Sequence, residues 1–173
     1  MVKVRVSKGE RITKVSGNLL DTETIKRLRE KVKNAKGKVG FIEGGLSSYP
    51  KKEGDFSGKP PPDVLDTALW NEFGVPQRGI PERPFMRNAN VNFIVATRKL
   101  RIQLAKAIVA GDKTVEEALS LQLLELQATV QEEITDLREP PNAPFTIKQK
   151  KSDNPLIDTG LMRSSVTWEL DES

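Results

Sequence analysis

The chain has 173 residues, 36% hydrophobic and 30% charged, with no cysteine and no histidine. Those two absences exclude disulfides, thiolate metal sites, cysteine nucleophiles and Ser-His or Cys-His relays, and they remove both the commonest zinc ligand and the usual base near neutral pH. The net charge of +4 arises from 28 Lys and Arg against 24 Asp and Glu, a mixture that gives little support for a nucleic-acid partner.

The length favours one domain over 1–173, with a core formed without covalent staples. No stretch approaches the roughly 18 apolar residues of a membrane span, and the charged start Met1-Val2-Lys3-Val4-Arg5 leads into no apolar core. Neither a membrane partner nor a signal peptide is expected.

Val2 to Val6 alternates apolar and charged residues, as a half-buried strand does. Asp21 offers an N-cap to a helix running to about Asn34, with Ile25, Leu28 and Val32 on one stripe. Gly37 closes it, and Lys38 to Ile42 reads as a strand. The segment 43–62 is rich in Gly, Ser, Lys and Pro and reads as a long flexible loop.

Asp63, with Asp66 three residues on, caps a short helix that carries Val64, Leu65, Ala68, Leu69 and Phe73 and stops at Gly74 in an αL conformation. Pro76, Pro81 and Pro84 forbid a regular helix beyond it. Met86, Ala89, Phe93, Ala96, Leu100, Leu104 and Ile108 then hold helical spacing up to Gly111. Thr114 and Glu117 form a capping box for a second long helix bearing Val115, Leu119, Leu123, Leu126, Val130, Ile134 and Leu137. Leu121 and Leu124 widen its apolar face and imply contacts on two sides. Pro140 and Pro141 stop it.

An irregular Lys-rich linker is expected over 142–154, then a bend, a short helix and a strand over 165–170. That last strand should pair near Lys38 to Ile42. The fold class is therefore α+β, a small antiparallel sheet packed against two long helices. The few aromatics, Trp70, Phe73, Phe85, Phe93 and Trp168, are the expected anchors.

Three motifs invite chemistry. Leu156-Ile157-Asp158-Thr159-Gly160 copies the local signature of an aspartic protease, whose carboxylate shares a proton with a second Asp. Leu161 follows where those enzymes place a small residue, and the long helices are foreign to an all-β protease. Asp158 or Thr159 as the cap of a helix starting near Gly160 accounts for the same residues. Gly54-Asp55-Phe56-Ser57-Gly58-Lys59 is one residue short of a phosphate loop and has Pro60 where Ser or Thr is needed. Lys148, Lys150 and Lys151, with a smaller Lys51-Lys52 pair, lack the interleaved aromatics that stack bases; a solvated linker explains them, leaving contact with DNA or an acidic neighbour open. No cofactor or metal set is assigned. Glu72 and Arg83 stand out as polar residues beside a proline turn, and a salt bridge between them would pin it.

Leu69-Trp70-Asn71-Glu72-Phe73-Gly74, continuing as Ile80-Pro81-Glu82-Arg83-Pro84-Phe85, and the later Pro155-Leu156-Ile157-Asp158-Thr159-Gly160-Leu161-Met162-Arg163-Ser164 together resemble the tail-completion or neck proteins of long-tailed DNA bacteriophages. That family pairs Asn-Glu-Phe-Gly with Pro-x-Arg-Pro-Phe and a long helix, and ends in Pro-Leu-(Ile/Val)-Asp-Thr-Gly. The resemblance covers about 63–170; the 43–62 loop and Leu161 depart from it. It implies a non-enzymatic virion component, made in the bacterial cytoplasm, that helps the tail join the head at its head-proximal end. Implied partners are other tail and neck proteins (tail terminator, tail tube or head-closure ring), in a homo-oligomeric ring. The residues through which it would act structurally are Trp70, Glu72, Phe73, Gly74, Arg83, Pro84, Phe85, Asp158, Thr159 and Gly160.

Overall fold

A computed structural model of the chain describes residues 18–42, 49 and 62–171, and also 13–15; over 13–20 it describes the backbone alone. The expected strand at 2–6, the Gly54 to Lys59 segment, Lys51, Lys52 and all of the 43–62 loop except Tyr49 and Pro62 lie outside those residues. In chain order the elements are β1 (Thr13–Val15), β2 (Asn18–Leu20), α1 (Thr22–Asn34), β3 (Gly37–Gly40), α2 (Val64–Phe73), α3 (Phe85–Ala96), α4 (Arg98–Ala110), α5 (Val115–Asp136), α6 (Pro144–Lys150), α7 (Leu161–Ser164) and β4 (Thr167–Leu170), with a 3-10 turn at Pro76–Arg78.

The fold is α+β. β1 and β2 form an antiparallel ladder with Thr13 opposite Leu20, a hairpin the sequence did not announce. β3 pairs with β4 as expected. The Asp171 N–H donates to the Lys36 carbonyl, and Lys38 Nζ meets Glu169 Oε1 at 3.0 Å, so the two strands run in opposite directions.

By packing, the chain divides into two compact units: 1–37 with 97–122 and 170–173, and 38–96 with 123–169. In the first unit α1 starts at Asp21, whose side chain accepts the Thr24 N–H. α1 buries no residue, whereas Leu104 of α4 and Val115 and Ala118 of α5 are buried. The capping box is reciprocal: Thr114 N–H donates to Glu117 Oε2 at 2.8 Å and Glu117 N–H to Thr114 Oγ1 at 3.1 Å.

The second unit holds the main core. Val64 and Ala68 of α2, Phe85 and Ala89 of α3, Val130 and Ile134 of α5, Leu156, Met162 of α7 and Val166 form one buried cluster, with Val39 of β3 packed against it. Phe41 meets Phe85 edge-to-face with centroids 6.2 Å apart. Phe85 is thus an anchor, but Phe73 is not: it is 64% exposed, because it falls on the α2 face opposite Val64, Ala68 and Glu72.

Two further expectations need correction. The helical run from Met86 to Ile108 is two helices, broken at the buried Thr97 (φ −88°, ψ 6°). Apolar spacing keeps phase across a one-residue break, so periodicity does not register it. The 142–154 segment is not an irregular linker, because it contains α6. Pro144 stands in the first turn, where its missing N–H is not needed and its fixed φ suits a helix.

Gly74 also departs from expectation. Its φ of 71° is left-handed, yet its ψ of 159° lies far from αL. An added Cβ would sit 2.9 Å from the Glu82 backbone nitrogen. At Gly111 (φ 82°, ψ 7°) the same atom would meet nothing within 4 Å. Gly111→Ala should therefore lose only the left-handed strain of about 1–2 kcal/mol, while Gly74→Ala, with backbone overlap added, should lose distinctly more. Urea midpoints of the two variants check this order; equal losses would refute it.

Candidate functional site: a polar staple beneath the two motifs

Asp63 begins α2 by accepting the Asp66 N–H on its side chain at 2.6 Å. The helix then carries Asn71 and Glu72 to the edge of the proline turn. That turn closes on itself: the Val75 N–H donates to the Ile80 carbonyl, and the Ile80 N–H donates to that of Val75. Arg78 leaves it to lie 4.5 Å above the half-buried Trp70 ring.

Arg83 is 3% exposed, and among the described residues its side chain donates to carbonyl oxygens and to no carboxylate. Its Nε donates to the Pro140 carbonyl (2.8 Å), one terminal nitrogen to Asn71 Oδ1 (2.9 Å), and the other to the Pro141 carbonyl (3.0 Å) and Asn142 Oδ1 (3.1 Å). Its backbone N–H donates to the Asn71 carbonyl. Burial pulls the guanidinium below its ordinary pKa, though an arginine stays charged throughout.

The expected Glu72–Arg83 salt bridge is therefore absent. Glu72, 5% exposed, takes a different task. Its Oε2 accepts the Met86 N–H at 2.9 Å, and its Oε1 accepts the Arg87 N–H at 3.3 Å and Arg87 Nε at 2.9 Å. Those N–H groups belong to the first turn of α3, where the chain supplies only Pro84 upstream, a residue without an acceptor side chain. Glu72 thus caps α3 from another helix, satisfying orphan donors and opposing the positive end of the dipole. Arg87 also pairs with Glu82 and lies over the Phe73 ring. Glu72 and then Glu82 raise its guanidinium above the usual value.

The second motif is tied to the first through Asn142 and Asn154. Asn142 Nδ2 makes long bonds to the Asn154 and Pro155 carbonyls, and Lys150 Nζ donates to the same two oxygens, the shorter at 2.8 Å. Asn154, 8% exposed, accepts the Leu156 and Ile157 N–H groups on Oδ1 and donates from Nδ2 to the Thr135 carbonyl of α5. Asn154 is not among the residues that the sequence singles out. Its one signal was the Asn-Pro dipeptide, which favours an Asx turn. Lys150 belongs to this staple and not to a solvated basic cluster. Gln127 and Gln131 of α5 then donate from Nε2 to the carbonyls of Val166 and Arg163.

At the Asp-Thr-Gly bend the cap position of α7 falls to Gly160 (φ 81°, ψ −4°), and the Leu161 N–H donates to Thr159 Oγ1 at 3.3 Å. Asp158 is exposed and stands upstream of the cap. Its charge acts on Tyr49: burial first, and Asp158 second, push that phenol up to about 12. α7 packs against α2, so the residues of the two motifs share one core. Among the described residues, no group of three or more acidic side chains is placed to hold a metal ion. No described helix is long and apolar enough to cross a membrane.

Comparison with protein-family models, with curated proteins and with solved structures finds no match to any of them.

Arg83→Lys keeps the charge but loses the planar fork, and with it several charge-assisted bonds of about 1.5–3 kcal/mol each. Urea unfolding should register a loss of about 3 kcal/mol; a loss under about 0.5 kcal/mol would make the staple dispensable. Tyr49 supplies a pH test. Its folded-state pKa lies above the ordinary 10.0, so its contribution is complete below pH 10 and is lost as pH rises towards about 12. Tyr49→Phe should flatten the stability curve over that interval relative to wild type; parallel curves would contradict the assignment.

Proposed function

We propose that this protein is a structural, non-enzymatic component of a tailed bacteriophage or prophage particle, acting in tail completion and head-tail joining at the head-proximal end of the tail. The reading rests on the resemblance carried by the two motifs. One observation supports its structural character. Glu72, Arg83 and Asn154 spend their polar atoms on internal hydrogen bonds that join those motifs into one core. Side chains used in this way hold shape, leaving docking to the residues around them. Its partners would be neighbouring tail and neck proteins.

Removing the gene from a phage or inducible prophage that carries it should leave tails and filled heads that do not join, as seen by electron microscopy. Supplying the chain in trans should restore joining. Asp158→Asn separates this reading from the rival aspartic protease. The variant should complement as well as wild type, and neither protein should release peptides in a pepstatin-sensitive assay. Normal particles without the gene, or cleavage abolished by Asp158→Asn, would overturn the proposal.

A further inference from the structure

Charge that is mixed along the sequence separates when assigned to the two units. The unit 1–37, 97–122 and 170–173 has 16 Lys and Arg against 9 Asp and Glu, net +7; the unit 38–96 and 123–169 has 12 against 15, net −3. Two helices concentrate the division. α4, in the first unit, contains Arg98, Lys99, Arg101 and Lys106 and no carboxylate, whereas the stretch of α5 in the second unit, 123–136, contains Glu125, Glu132, Glu133 and Asp136 and no cation.

On α4 the exposed arc presents Arg98, Lys99 and Lys106 around Ile102, which is 50% exposed. Arg98 and Lys99 stand in the first turn, where the helix dipole disfavours cations and no acidic residue offsets them. On the second half of α5, Leu124 (53% exposed), Glu125, Ala128, Glu132 and Asp136 follow one another at helical spacing along the outer face. Each face therefore combines aliphatic surface with charge of one sign, and the signs are opposite. Among the described residues, no ion pair involves Arg98, Lys99, Lys106, Glu125, Glu132 or Asp136.

We infer that copies of this chain associate head to tail, the basic face of α4 in one copy docking on the acidic, leucine-bearing face of α5 in the next. Opposite charges steer and register such a contact, and the aliphatic residues supply the surface removed from water. Because the two faces are different surfaces, the contact is heterologous and propagates from copy to copy, as a ring where the rotation between copies closes and as a filament where it does not. A polyanion is the other candidate for α4. The aliphatic Ile102 at the centre of the arc, with no aromatic residue on that helix to stack a base, favours a protein surface. The inference rests on the assembly role proposed above for its biological setting.

Sedimentation of the full chain across concentration tests it. Association should strengthen with concentration at low salt and weaken at high salt. Arg98→Glu with Lys106→Glu, and separately Glu125→Lys with Glu132→Lys, should each raise the dissociation constant at least roughly tenfold. Mixed in equal amounts, the two variants have complementary faces in both directions and should associate as wild type does. Circular dichroism verifies that each is folded. If a reversal variant does not fold, Arg98→Gln with Lys106→Gln, and Glu125→Gln with Glu132→Gln, should weaken association in the same sense. A wild type that stays monomeric, a monomer that binds duplex DNA through α4 instead, or variants whose mixture does not associate would overturn the inference. Self-association through these faces in a chain dispensable for tail joining would sink the functional proposal and keep this one; monomers required for joining would do the reverse.

Discussion

The second unit depends on where a buried guanidinium finds its acceptors. Arg83 has almost no contact with solvent and no carboxylate partner among the described residues, so its charge is spread over four carbonyl oxygens from two places in the chain, Asn71 and the run from Pro140 to Asn142. A buried cation left short of acceptors would be costly, and that constraint fixes several segments together. Asn71 must end α2 near the turn, and the chain leaving α5 must pass close by. The Pro140 and Pro141 pair suits this role. It stops the helix, and the carbonyls it leaves outside any helical ladder are turned to the guanidinium.

Glu72 and Arg83 are the two most buried charged residues of the first motif, and they are satisfied separately. Glu72 acts as a helix cap supplied from a distance, made necessary by Pro84, which sets the chain direction into α3 and has no acceptor to offer. Its remaining interaction is with Arg87, a partly exposed arginine that also reaches Glu82 and covers Phe73. One acidic residue thus links the end of α2, the start of α3 and the proline turn. The outer face of α2 meanwhile keeps Leu69 and Phe73 in contact with solvent.

This division of labour gives the proposed assembly role a physical form. Residues of the two motifs hold one core rigid, and residues outside them vary the surface. The opposite charges of α4 and α5 belong to that second group. A particle component needs a shape that survives packing against neighbours and surfaces that select those neighbours, and the two demands fall here on different residues.

Local physics was legible from the amino-acid order. The caps at Asp21, Asp63 and Thr114, the stop at Gly111 and the α+β class all follow from short-range hydrogen bonding and hydrophobic period. Such signals lie within a few residues of one another. The partners of Glu72 and Arg83, the role of Asn154 and Lys150, the break at Thr97 and the helix behind Pro144 were settled by the tertiary structure. Buried polar groups take whichever donors and acceptors the packed chain brings within reach, and most of those here are backbone N–H and carbonyl groups, which no sequence pattern distinguishes.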